Sequence, residues 1–348
     1  MAATHEISED FKNALLNGGI LHPFLRAVRD DDTLLLGLRG EYVSIYYRGG
    51  QLLKLGSGDG AYRVKFDPNY GAEGLAARLQ RRVGSGIELL DRTIKSLGDA
   101  EAVVDIFGEL KGVMDVHPKI RSGHEREFQQ LVARENNRTR SAGASSYFIT
   151  DIEHASGKAR FDMLGVRWGN DERKRGDGLL PVLFEMKYGE SALEGSAGIV
   201  KHLKDIFENL KESGFREKLR ANVEAHFNQL HELGLLEFNR SKAISRFTTR
   251  RDRVQVVFVL AGYNPRSTRL GKVLEDVGKF MSEWGGKDVL GIEVDLRFFH
   301  SCFCGYAMHD ETMLEFHEFR ELVDSWRRSG NRRSGTRSGQ EDSNGIKG

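Results

Sequence analysis

Three short apolar runs between residues 147 and 188 carry acidic and basic side chains where buried strands normally carry none, and this conflict constrains the chain more than any other feature. FITDIEH (148–154), ARFDMLGVRW (159–168) and PVLFEMKYG (181–189) are rich in β-branched and aromatic residues. They are separated by the turn-prone segment from His154 to Gly157 and by the polar segment from Gly169 to Gly178. They are expected to form three consecutive antiparallel strands. Side chains alternate along a strand, so Glu185 and Lys187 share a face with Leu183, while Phe184 and Met186 point the other way. By the same rule Asp162 shares a face with Leu164 and Val166, and pairing the second run with the third sets its carboxylate beside Glu185.

Two carboxylates and an ammonium half-sunk in a sheet are costly unless they are paired or bound to a metal. Carboxylate oxygens suit Mg2+ or Mn2+, and a neighbouring lysine can orient a water and offset negative charge developing on a phosphoryl group. The competing reading is a cross-strand ion pair between Asp162 and Lys187, with Glu185 a solvated strand residue. Under the metal reading, replacing Asp162 or Glu185 by alanine relieves like-charge repulsion, and the metal-free variants are expected to be at least as stable as the parent.

In Asp162 followed on the next strand by Glu185-Met186-Lys187, the chain resembles the PD-(D/E)xK nuclease superfamily, over about residues 119 to 310, with Phe161 where that pattern usually has proline. The resemblance implies an α/β fold, α+β overall, with a mixed-sheet, restriction-endonuclease-like core flanked by helices. It implies Mg2+ (or Mn2+)-dependent hydrolysis of phosphodiester bonds in nucleic acid, DNA before RNA, leaving a 5′-phosphate and a 3′-hydroxyl. Asp162 and Glu185 would be metal ligands and Lys187 would position the attacking water. A glutamate from the first core helix often joins such a site; that role is carried to Glu127, with Glu125 as the fallback. The helix after the Glu-x-Lys strand lies near the substrate backbone in the superfamily, which points to Lys201 and His202; their alternative is a solvated charged face. The rival function is a catalytically inactive member of the fold acting as a nucleic-acid-binding or scaffolding module.

At 348 residues with 39% hydrophobic content the chain is long enough for two modest domains or one large one. No apolar run approaches a membrane span and the first residues lack a secretory layout, so a soluble cytoplasmic protein is expected. The 52 basic and 51 acidic residues leave a net charge of +1, so bulk charge gives no argument for a polyanionic partner. Oligomeric state is open, with room for a homodimer. Cys302 and Cys304 are too close in one strand for a disulfide framework; with His300 they invite a zinc reading, but they lack the usual spacing and a fourth ligand, and are read as core or near-core residues.

In chain order, residues 1–118 read as an N-terminal α+β region, 119–328 as the nuclease-like core and 329–348 as a disordered basic tail. Apolar spacing predicts two short helices over 9–28. Four glycine-punctuated runs over 32–67 predict an antiparallel β-meander, and 71–117 is read as helical throughout, with Gly98 as a stop and Asp99 as a start. The string RGEYVSIYYRGGQLLKLG resembles the N-terminal part of an uncharacterised bacterial group that also carries the Glu-x-Lys strand. A helix over 121–137 is expected to bury Phe128, Leu131 and Val132 and to leave Glu127, Gln130 and Arg134 on an adjacent stripe. Helices over 199–210 and 215–240, a doubly covered strand VQVVFVLAGY, a further helix and strand, and a last helix complete the pattern of an α/β layer.

Overall fold

The structure, a computed structural model, describes residues 5–58, 61–67, 70, 91–116, 123–138, 143–156, 159–239, 244–264, 267–284, 291–301 and 305–335. Among these residues it is a mixed α/β fold with one antiparallel and one mixed sheet. Helices α1 (Glu9–Leu15) and α2 (His22–Asp30) fall where the spacing predicts; Ser8 caps the first, its hydroxyl accepting from Phe11 N at 3.2 Å. They bury Phe11, Leu15, Phe24 and Leu25 beneath the first sheet.

That sheet is the expected meander, β1 (Leu34–Leu38), β2 (Tyr42–Tyr47), β3 (Gly50–Gly58) and β4 (Ala61–Phe66), with one strand more. Residues 91–94, read as part of a helix, form β5 (Asp91–Ile94) against β4, pairing Tyr62 with Ile94 and Lys65 with Asp91. The open edge of β4 supplies the partner groups, and burial of Ile94 adds the apolar contribution. The helical signal begins only after it: Ser96 and Asp99 form a capping box that opens α3 (Leu97–Val104), with Gly98 inside the helix rather than ending it, and α4 (Phe107–Val116) follows. Residues 71–90 of the expected helical stretch lie outside the described residues.

The second sheet has the strand order β11-β10-β9-β8-β7-β6. Strands β6 (Tyr147–Ser156), β7 (Ala159–Arg167) and β8 (Leu180–Tyr188) pair antiparallel as expected. Beyond them β9 (Arg253–Ala261) and β10 (Glu293–His300) run parallel to β8, and β11 (Met313–Glu315) closes the edge antiparallel. Parallel pairing requires long crossovers. These are α6 (Ile199–Lys211) with α7 (Ser213–Glu232), and then α8 (Thr268–Glu283); α9 (Phe316–Gly335) comes last. Alternation sorts the sheet into two apolar layers: Leu183, Phe258 and Leu260 pack with α6, α7 and α8, while Phe184, Met186, Val257 and Val259 face away from them toward α5 (His124–Asn137).

Helix α5 departs from its expected burial. Its most buried positions include Gln129, Gln130, Asn136 and Asn137, with Phe128 and Leu131 only half-buried. The amides serve as connectors: Gln130 accepts from Gly49 N at 2.7 Å and donates to Thr33 O at 2.8 Å, while Asn137 brackets the main chain of Ile149. The β2–β3 hairpin tip meets this helix at its first turn. Arg48 and Gly49 both have positive φ, 47° and 74°, as a two-residue hairpin turn requires, and a Cβ at Gly49 would lie 2.5 Å from Glu127 N. Helix α9 continues through Gly335 into the stretch read as tail; 336–348 and Cys302 and Cys304 lie outside the described residues, whereas His300 is buried. No described helix is long and apolar enough to cross a membrane.

Candidate functional site

The carboxyl end of β8 carries the charged groups that the alternation brings to one face. The ladder pairs Met163 with Phe184, so the next position along sets Asp162 across from Glu185. Asp162 Oδ2 accepts a hydrogen bond from Met186 N at 2.8 Å. Glu185 Oε1 accepts from Lys187 Nζ, also at 2.8 Å, and both side chains are almost wholly buried, at 2% and 3% exposure. The same carboxylate oxygen is in contact with His202 Nδ1. Helix α6 starts after Gly198, so its first turn lies over the end of β8 and His202 closes on Glu185 from above. Sites at the carboxyl ends of parallel strands are the usual arrangement in open α/β sheets.

Of the two glutamates in the first turn of α5, Glu125 reaches this end of β8 and Glu127 does not. Glu125 Oε2 accepts from Tyr188 N at 3.4 Å, directly after Lys187 in the chain. Glu127 is held elsewhere: its Oε1 accepts from Arg48 Nε at 2.7 Å, and Arg48 also binds Asp115 at 2.9 Å. The hairpin tip docked on α5 takes Glu127 out of the site. Lys201 does not join it either, being exposed and ion-paired with Asp205 one turn on. Asp162, Glu185, Lys187, His202 and Glu125 are thus together, with Glu127 and Lys201 apart.

The electrostatics of the cluster are uneven. Burial, and then the charge of Glu185, push the Asp162 carboxyl well above its usual range, with Lys187 only partly opposing. Burial also pushes Glu125 up, against Lys187 and the Tyr188 N–H. Burial acts the same way on Glu185, but His202 and Lys187 outweigh it and hold this group low. One carboxylate is therefore held low by its contacts with Lys187 and His202, and two others are biased toward their protonated forms beside it. A divalent cation can take the place of those protons, and an all-oxygen donor set fits Mg2+ or Mn2+. The site opens into a cleft of about 460 Å³ whose lining includes Arg160, Phe161, Glu185, His202, Asp205 and Glu208.

The contact between His202 and Glu185 was not foreseen, since helical spacing places His202 on a polar face and says nothing about which strand lies under it. No family model, curated protein or solved structure matches this chain.

Proposed function

We propose that this chain is a metal-dependent nuclease of the PD-(D/E)xK type, its mixed sheet serving as a restriction-endonuclease-like core. The observation that carries the reading is the convergence of Asp162, Glu185 and Glu125 with Lys187, in which two carboxyls are driven toward protonation unless a cation joins them. Asp162 and Glu185, with Glu125, would hold Mg2+ or Mn2+, which when bound supplies Lewis acidity toward a phosphoryl oxygen and lowers the pKa of a coordinated water. Lys187, fixed by its bond to Glu185, presents an ammonium beside the carboxylates, where it orients the attacking water and offsets charge developing on phosphorus. His202 is a positioning residue: its contact with Glu185 fixes that side chain at the cleft, and its half-exposed ring faces an incoming backbone.

A second reading has an observation of its own. Glu185 already has Lys187 and His202 in contact, and the cleft rim carries Asp205 and Glu208 beside Arg160, so the cluster satisfies part of its charge without a metal and its mouth is not a basic surface made for a polyanion. In that case the chain is an inactive relative of the fold that binds or scaffolds. The two separate in one assay of purified protein against linear and circular DNA, single-stranded DNA and RNA, with Mg2+, with Mn2+ and with chelator. The nuclease reading expects metal-dependent cleavage that Asp162→Asn and Lys187→Ala abolish. Cleavage of no substrate, or cleavage that survives both substitutions, supports the inactive module.

A further inference from the structure

Strand β6, next to the candidate site, carries a second charged cluster that phosphodiester chemistry does not use. Asp151 and His154 on β6 and His5 from the segment before α1 place one nitrogen or carboxylate oxygen each within 4.8 Å of one another. Asp151 Oδ2 and His154 Nδ1 are 2.7 Å apart, and the rings of His5 and His154 are 5.1 Å apart between centroids. Residues three apart on a regular strand point to opposite faces. Here Glu153, which lies between them, takes a left-handed φ of 52°, and this departure lets Asp151 and His154 meet.

A fourth group comes from α7. His226 is fully buried, with Nδ1 4.0 Å from Asp151 Oδ2, and neither ring nitrogen makes a hydrogen bond of ordinary geometry. A buried imidazole without such a partner calls for an explanation. Arg39 pairs with the other oxygen of Asp151, Oδ1, and so fixes the carboxylate with Oδ2 turned to the imidazoles. The His5 segment is seated independently of its side chain: Gly40 N donates to His5 O at 2.7 Å, and Gln229 binds both polar groups of the Ile7 main chain.

We propose that His5, Asp151, His154 and His226 form a closed site for a divalent transition metal of the zinc class, fastening the segment before α1 to β6 and α7. Three imidazoles and one carboxylate suit zinc, whereas an all-oxygen set would suit magnesium. Four protein ligands leave no open position for water or substrate, so the role is structural. Metal–nitrogen bonds of about 2.0 Å in tetrahedral geometry set ligand atoms about 3.3 Å apart. The observed 2.7 Å and 4.0 Å to Asp151 bracket that value, and His226, whose ring centroid lies 6.4 Å from that of His5, is the ligand that has to draw in to complete the shell. Arg39 would act as the outer partner that orients a ligating carboxylate.

The test uses the full chain, stripped with chelator and titrated with Zn2+ by calorimetry, with Co2+ as the spectroscopic probe. The expected result is a zinc site of one per chain, an intense visible Co2+ band characteristic of tetrahedral coordination, and a higher melting temperature with zinc. His5→Ala, at a half-exposed position whose main chain is held by Gly40, is expected to weaken zinc binding at least about tenfold and to remove the Co2+ band. His226→Gln should do the same, while Asp162→Asn should leave both intact. No zinc uptake by the parent chain, zinc bound equally well by His5→Ala and His226→Gln, or zinc lost with Asp162→Asn alone would each overturn the proposal.

Discussion

Asp151 and Asp162 lie on neighbouring strands of one sheet, and both carboxyls are largely withdrawn from solvent, yet their surroundings act on them in opposite directions. Burial opposes ionisation of both. At Asp151, Arg39 and His154 outweigh burial and hold the carboxyl below the usual range. At Asp162 the neighbour is Glu185, which adds to burial and drives the carboxyl up. Burial therefore does not by itself assign a role to an acid. A cation in contact makes it a fixed anion; a second carboxylate makes it a group that a proton or a metal must satisfy.

The largest expected effect comes from breaking the first arrangement and not the second. Asp151→Ala leaves Arg39, whose side chain is only 12% exposed, without its partner and should cost about 3–5 kcal/mol by chemical denaturation. Asp162→Asn, measured without divalent metal at neutral pH, should be as stable as the parent or more so. Equal losses at the two positions would erase the distinction between them.

Within the candidate site the same logic separates Glu185 from Asp162. The sequence alone gave equal standing to the two alanine variants, both expected to gain stability from relieved repulsion. Glu185, however, is the partner of buried Lys187, so Glu185→Ala strands an ammonium and should cost about 3 kcal/mol as well as cleavage. Lys187→Ala should lower cleavage by at least about 100-fold.

The two aspartates should also divide by pH. The folded-state pKa of Asp162 is raised, so its contribution is present at low pH and is lost as pH rises above the usual carboxylate range. That of Asp151 is lowered, so its contribution is present at and above the usual range and is lost as pH falls below it. In melting curves taken across acid and neutral pH without metal, Asp162→Asn should remove a decline toward neutral pH, and Asp151→Asn should remove a decline toward acid. The opposite assignment would show that the neighbours named here do not govern the shifts.

The smallest expected effect is at Glu127. Its pair with Arg48 is partly solvated, so Glu127→Ala should cost about 0.5 kcal/mol and leave metal affinity unchanged. Glu125→Gln should weaken metal binding with little loss of stability, because burial already disfavours its charge.

What could be read in advance follows from range. Alternation within β7 and β8 is local, so the meeting of Asp162, Glu185 and Lys187 was legible from three short runs. The choice between Glu125 and Glu127 was not, because it depends on a hairpin tip 79 residues away docking on α5 and taking Glu127 for Arg48. Nor were the buried amides of α5, whose partners lie in the meander and in β6. Strand β5 was missed because four residues carry little pattern of their own, and what selects them is the open edge of β4. The cluster around Asp151 was hidden twice over: its histidines come from distant parts of the chain, and the left-handed Glu153 breaks the alternation that would have exposed it.

In the proposed reading Asp162 and its neighbours form a site short of positive charge that a hard divalent cation completes. Calorimetric titration of the full chain with Mn2+, followed by Asp162→Asn, Glu125→Gln and Glu127→Ala, tests it most directly. Binding is expected for the parent and for Glu127→Ala, weaker binding for Glu125→Gln and none for Asp162→Asn. A parent chain that takes no Mn2+, or an Asp162→Asn variant that takes it as tightly as the parent, would contradict it.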